Sequence, residues 1–336
     1  MKVLIAYSRK KILYDRDGNP NFKDILSTVF EVEAALCSMG HEVTRGGLNK
    51  NPTRFLSEFF TFRPDVIFNL CEDVNGDTRK ETSAAALYEL LGVPFTGNGV
   101  LPLAVCLDKA MTKRVLQTAN IPTPPFAVLT PRNAPRLSFP LPAMVKPQRE
   151  DGSLGITARS VVGTRASLAR RVRYVEKNFK QPALVEQYIP GREFQVALLG
   201  HRKPRILAVA ELSYKGMPGG LPRICTYAAK WNEQSTYFKH TVPVVPARVG
   251  RKLESELCSI AARVFDVFDL RGYARVDFRV RDDVPYVIDV NPNPDISSDA
   301  GFARAARHAG LDYAQLVDGL VRLALKQKKN KRVRRV

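Results

Sequence analysis

Strand and helix signals alternate through the first hundred residues. This constrains the chain most, because a parallel sheet flanked by helices is the simplest arrangement that buries both kinds of element. Val3 to Tyr7 reads as a buried strand, Ile25 to Met39 as a helix closed by Gly40, Glu42 to Thr44 as a short strand, and Asp65 to Leu70 as a strand after Pro64. A helix from about Lys80 to Leu91 stops at Gly92, and Val93 to Gly97 supplies a short strand and turn.

The expected fold class is α/β, becoming α+β over the whole chain, with a Rossmann-like N-terminal domain. That domain lacks Gly-x-Gly-x-x-Gly at its first turn, so a dinucleotide is not implied. A helix from Leu101 to about Ala119 leads into Ile121-Pro122-Thr123-Pro124-Pro125, a stiff link and the clearest boundary. Strands follow at Ala143 to Lys146 and Ile156 to Ser160, then a basic helix from Arg165 to Lys177, then strands at Ala183 to Gln187 and Glu193 to Leu199. After further strands comes a helix from Arg251 to Phe268, whose Leu253, Leu257, Ile260, Val264 and Phe268 recur at helical spacing and read as core. Helices from Ala300 to Ala309 and Tyr313 to Ala324 complete the pattern, with no internal repeat.

With 336 residues, 45% hydrophobic and 25% charged, the chain has the material for two or three domains of an ordinary soluble protein. No apolar run approaches the roughly 20 residues of a membrane helix. Met1 to Tyr7 reads as a strand and not as a signal peptide, so a cytoplasmic location is expected. Cys37, Cys71, Cys106, Cys225 and Cys258 show no paired spacing and fit reduced thiols. Of the net charge of +19, seven units lie in residues 326–336, leaving +12 for the body. That tail reads as a disordered, solvated extension, with an anionic partner as the alternative. Nucleic acid is not expected, because no aromatic-and-glycine pattern accompanies the basic excess.

Chemistry concentrates between Arg275 and Asn291. Period-two alternation in Gly272–Val280 puts Arg275 and Asp277 on one face, and in the next strand Asp289 and Asn291 share a face. Arg281-Asp282-Asp283 is a polar break, so a hairpin would gather these four side chains. Hard oxygen ligands of this kind suit magnesium, although solvated strand residues would read the same way. Upstream, Lys146-Pro147 opens the loop Gln148 to Gly155, whose glycines let backbone amides approach phosphate. It lacks Gly-Lys-Ser/Thr and is not a Walker A loop; an ordinary hairpin turn is its other reading. Glu186 and Glu193 flank a Pro-Gly turn and could accept hydrogen bonds from an adenine amino group and ribose hydroxyls, or could simply be solvated.

The order of the segments is more specific than any one of them. Leu107-Asp108-Lys109, Val145-Lys146-Pro147 with its Gly/Ser loop, Glu186-Gln187-Tyr188-Ile189 with Gly191 and Glu193, Lys230, Arg275-x-Asp277 and Asp289-x-Asn291 together resemble the ATP-grasp superfamily. The resemblance is to its D-alanine–D-alanine ligase branch and extends from about Val66 to Leu325, strengthened by Leu90 to Gly97.

This resemblance implies a two-lobed ATP-grasp fold after the first domain, with boundaries at 1–105, 106–190, 191–325 and the tail 326–336. It implies ATP and Mg as cofactors. Lys109 and Lys146 match phosphate-binding lysines, Glu150 to Gly155 with Ser153 match a flap over the phosphates, and Lys230 matches a further phosphate contact. Glu186, Gln187, Tyr188 and Ile189 match the adenine hinge, Met144 and Ile288 its apolar walls, and Glu193 the ribose ligand. Asp277, Asp289 and Asn291 match the metal ligands, and Arg275 the residue that stabilises the transferring phosphoryl group, so that Arg275, Lys146 and Lys230 are the implied catalytic residues.

The implied activity is a carboxylate–amine ligase acting through an acylphosphate on amino-acid or small-peptide type substrates. Its partners would be a small-molecule carboxylate and an amine, without a membrane; a homodimer is compatible. A non-catalytic nucleotide-binding scaffold, or grasp chemistry ending in phosphorylation or another nucleophile, stays open. Several amino-acid positions depart from the family: Tyr7 to Ile12 lacks the Gly-Gly-x-Ser-x-Glu signature, Gly152 stands for a flap serine, Trp231 for its tyrosine partner and Ala300 for a carboxylate-binding serine. Asp289 is one methylene shorter than the usual glutamate. A true D-alanine–D-alanine ligase is therefore not expected.

Overall fold

The computed structural model describes residues 1–8, 25–133 and 137–333, with side chains described up to Lys326. Arg9 to Ile12, part of the divergent N-terminal motif, lies outside the described residues. The first unit comprises β1 (Lys2–Ser8), α1 (Ile25–Ser38), β2 (Glu42–Leu48), α2 (Thr53–Phe62), β3 (Val66–Leu70) and α3 (Glu81–Leu90). Its three strands are parallel in the order β2-β1-β3. Alternation along β1 sends Val3 and Ile5 toward Val29, Val32 and Leu36 of α1, and Leu4 and Ala6 toward Phe55 of α2 and Tyr88 of α3. Helix α2 escapes the sequence pattern because Phe55 is its sole buried residue.

The continuous helix expected from Leu101 to Ala119 is two helices, α4 (Val100–Leu107) and α5 (Lys109–Thr118). Asp108 breaks it: extended at φ −82°, ψ 93°, it accepts the Met111 amide at 3.1 Å as the N-cap of α5. The small lobe then adds β4 (Phe126–Leu129), β5 (Ala143–Pro147), β6 (Val161–Val162), α6 (Arg165–Phe179) and β7 (Ala183–Gln187), with sheet order β4-β7-β5-β6. The strand expected over Ile156 to Ser160 is instead a loop with a 3₁₀ turn at Ala158–Ser160, closed by a Thr157–Ser160 capping box; pairing with β5 begins only at Val161.

The large lobe comprises β8 (Arg192–His201), β9 (Arg205–Ser213), α7 (Tyr227–Trp231), α8 (Thr236–His240), β10 (Val242–Val244), α9 (Arg251–Val267), β11 (Arg271–Arg281), β12 (Val284–Asn291), α10 (Gly301–His308) and α11 (Tyr313–Val333). Its antiparallel sheet runs β10-β9-β8-β11-β12. The apolar row of α9 packs as core against Val196, Val276 and Phe278. On the other side, Phe302, Leu316, Val317 and Leu320 of α10 and α11 share one cluster with Val3, Val29, Phe68 and Tyr273. The C-terminal helices therefore join the first unit to the large lobe. The backbone of α11 continues helical to Val333, past the expected end at Ala324 and into the basic segment read as disordered.

Candidate active site

The small sheet and the β11–β12 hairpin face each other across an open cleft with about 920 Å³ of empty space, its solvent-open mouth included. Each of Lys109, Met144, Lys146, Ser153, Glu186, Gln187, Tyr188, Ile189, Glu193, Lys230, Arg275, Asp277, Ile288, Asp289 and Asn291 lines it. Residues spread over more than half the sequence are thus brought to one place.

The hairpin is set by its turn. Asp282 and Asp283 sit at φ +52° and +58°, the left-handed pair of a two-residue turn whose twist suits antiparallel strands. The resulting register pairs Arg275 with Asn291 and Asp277 with Asp289. Arg275 grips Asp277 bidentately, Nε at 2.7 Å and Nη2 at 2.8 Å, and Asn291 Nδ2 donates to the same carboxylate at 3.3 Å. Burial pulls the Arg275 guanidinium down, but the Asp277 charge outweighs it and holds the arginine above its ordinary value. A bulge after Asp277 leaves Ile288 out of register, and its carbonyl accepts from Lys146 Nζ at 3.2 Å.

The lysines form an alternating chain of charge. Lys109, first residue of α5, places Nζ 3.3 Å from both oxygens of Asp289 and 3.1 Å from Asp151. Lys146 Nζ lies 2.9 Å from Glu186 Oε1, and Glu186 Oε2 lies 2.6 Å from Lys113 Nζ. Burial raises the Asp289 carboxyl, yet the Lys109 and Lys146 ammoniums outweigh it and hold it below the usual carboxylate range. Such a depressed group adds stability that is fully present above its unfolded value of about 4 and is lost as pH falls through the lower folded value. Thermal melts from pH 7 to 3 should therefore show a shallower acid decline for Asp289→Asn than for the wild type; parallel declines would remove Asp289 from the acid response.

At the other end of the cleft, Glu193 Oε2 accepts from Tyr214 Oη and Arg279 Nη1, both at 2.8 Å. Arg279 also donates to the Ile189 and Arg223 carbonyls and to Tyr188 Oη, tying the segment after β7 to the large sheet. The sequence reading missed Arg279 and Lys113. The signals existed, since Arg279 continues the alternation of Arg275 and Asp277, and Lys113 is one helical turn after Lys109.

The loop over the cleft is held down on both sides. Asp151 meets Lys109, Glu150 accepts from Gln181 Nε2 at 2.8 Å, and Trp231 Nε1 donates to the Gly152 carbonyl at 3.3 Å. The two departures noted at Gly152 and Trp231 thus meet through the backbone, a contact that needs no serine hydroxyl. Arg171, buried behind the loop, binds the Gly155 carbonyl and Ser160 Oγ.

Asp277, Asp289 and Asn291 offer the oxygen donors that could hold a hard cation, two carboxylates paired across adjacent strands with an amide beside them. Two sheets thus close on a cleft, with lysines from the small lobe opposite acids and an arginine from the large one.

The profile of the family described as D-ala D-ala ligase C-terminus matches residues 115–322. A D-alanine–D-alanine ligase of Moorella thermoacetica is 33% identical over 307 residues, covering 88% of this chain and 92% of the relative. An uncharacterized protein of Sinorhizobium fredii is 32% identical over 301 residues, covering 87% of this chain and 86% of its own. The crystal structure of a D-alanine–D-alanine ligase from Bacillus anthracis complexed with ATP has the same fold, with a TM-score of 0.76 at 18% identity over 98% of this chain and 99% of that one. The chain belongs to the D-alanine–D-alanine ligase family. Among the described residues no helix is long and apolar enough to cross a membrane.

Proposed function

We propose that this protein is an ATP- and Mg-dependent ligase that activates a carboxylate as an acylphosphate and joins it to an amine of amino-acid or small-peptide type. The observation that carries this reading is the convergence of Lys109, Lys146, Lys230 and Arg275 with the Asp277–Asp289 pair in one cleft. Family membership supports it independently.

In this reading the triphosphate lies along Lys109, Lys146 and Lys230, whose charges offset its own, and the loop from Glu150 to Gly155 excludes water. Glu193, with Oε2 fixed by Tyr214 and Arg279, has its other oxygen for the ribose hydroxyls. Asp277, Asp289 and Asn291 would hold magnesium, which would supply charge neutralisation at the phosphates when bound. The substrate carboxylate attacks the γ-phosphorus and ADP leaves. An amine then attacks the acyl carbon, phosphate departs, and the amine releases a proton. Arg275, rigid in its bidentate pair, faces the charge that grows in both steps.

Gly152, Trp231 and Ala300 change the amino-acid pockets, so a pair of D-alanines is not the expected preferred substrate. The test is ADP and phosphate release over a panel of amino acids, short peptides and simple carboxylates, D-alanine included. Amine-dependent turnover with at least one pair is expected; tight ATP binding without any such turnover would refute the ligase reading.

Trp231 is the single tryptophan, so its emission reports on the loop directly. Trp231→Phe deletes a hydrogen bond worth about 1 kcal/mol. The expected result is an ATP KM roughly five-fold higher with little change in kcat. An unchanged KM would show that the contact does not hold the loop.

A further inference from the structure

We infer that Lys113 is a positioning residue that sets which base the cleft accepts, by fixing Glu186 as a hydrogen-bond acceptor at the cleft wall. This rests on the nucleotide reading above and extends it to base selectivity. Lys113 is 2% exposed and does not line the cleft, so it acts only through its neighbours. Its Nζ lies 2.6 Å from Glu186 Oε2 and donates to Thr123 Oγ1 at 2.9 Å, and Thr123 in turn donates to the Val287 carbonyl at 2.8 Å. Lys113 is thus braced on β12 and delivers one ammonium to the outer oxygen of Glu186. Lys146 faces the inner oxygen at 2.9 Å.

The consequence is chemical. An ionised carboxylate only accepts hydrogen bonds; a protonated one can also donate. Held ionised between two ammoniums, Glu186 welcomes an exocyclic amino group such as that of adenine and opposes a carbonyl at the same position, as in guanine. Sites built around a required hydrogen bond can discriminate strongly, because the wrong ligand leaves a buried group unpaired. Burial alone would raise the Glu186 carboxyl; Lys113 and then Lys146 hold it below its usual range. The charged groups around this pair are Lys113 of α5, Lys146 of β5 and Asp289 of β12, the last acting on both lysines. Lys146 must also serve the triphosphate, which leaves Lys113 as the counterion dedicated to Glu186.

The test compares kcat/KM for ATP and GTP in the wild type and in Lys113→Met, which keeps an unbranched side chain one atom shorter and removes its charge. The wild type is expected to favour ATP by at least about 100-fold, with a ratio flat from pH 8 to 6. In Lys113→Met the ratio should fall at least about ten-fold and fall further toward pH 6, as Glu186 protonates and begins to donate. A purely structural role would lower both nucleotides alike. If Lys113→Met does not fold, Thr123→Val, which removes the brace, is expected to lower the ratio by a smaller factor. A folded variant of either kind that keeps the wild-type ratio within two-fold overturns the inference. A wild type that neither binds nor hydrolyses any nucleotide overturns the underlying reading instead.

Discussion

Arg275→Ala is expected to lower ligase kcat by about 10²–10³-fold, the range seen when one preorganised charge-stabilising donor is removed from an active site. The position is demanding for two reasons. Arg275 lines the cleft together with Lys109, Lys146 and Lys230, and its Nε and Nη2 are locked on Asp277 at 2.7 and 2.8 Å, so its charge is oriented before substrate arrives. Truncation also strips Asp277 of its partner, and breaking a buried pair costs about 3–5 kcal/mol. Thermal unfolding must therefore accompany the kinetics. Arg275→Lys separates the contributions, since it keeps the charge and loses the planar fork; an intermediate rate is expected. If the alanine variant is folded and its kcat stays within about three-fold of wild type, Arg275 is not at the reaction centre.

The second large effect is on stability. Gly191 follows Pro190 at φ +121°, and a Cβ there would stand 2.0 Å from the Val280 carbonyl oxygen. No flexible side chain can yield, because the obstacle is backbone of the inner strand β11. Gly191→Ala should therefore destabilise the protein by about 3 kcal/mol or more, combining a forbidden backbone region with a displaced strand. Chemical denaturation reads it directly. The same turn positions Glu193 and Ile189, both of which line the cleft, so the surviving folded fraction should also bind ATP more weakly. A variant as stable as wild type would mean that β8 and β11 can separate here without cost.

Much of the candidate site was legible because its residues sit on short-period elements. Alternation alone put Arg275 beside Asp277 and Asp289 beside Asn291, and the Asp282-Asp283 turn then dictated a register that made all four neighbours. Where periodicity misled, a polar side chain had intervened. The apolar run through α4 and α5 conceals the stop at Asp108, whose carboxylate also binds Gln148 Nε2 and Arg149 Nε, each at 2.8 Å, and so ties α5 to the start of the loop that follows β5. Ile156 to Ser160 has strand-like composition, yet Thr157 and Ser160 cap each other and turn the chain before pairing can start.

Glu186 marks the boundary between the two kinds of knowledge. Its position at the cleft wall follows from strand β7 and from the order of motifs along the chain. Its electrostatic state does not, because Lys113 reaches it across 73 residues of sequence, at a distance of 2.6 Å that only packing of α5 against the small sheet creates. Most strands and helices, the hairpin and the candidate site residues could be read from local period and side-chain chemistry, whereas α2, the break at Asp108 and the loop over Ile156 to Ser160 could not. Only the tertiary structure decided which charges meet, how Trp231 reaches the backbone at Gly152, and that α10 and α11 return to seal the first sheet. Coulomb and contact energies fall off over a few ångströms of space, and sequence separation says nothing about those ångströms until the chain has folded.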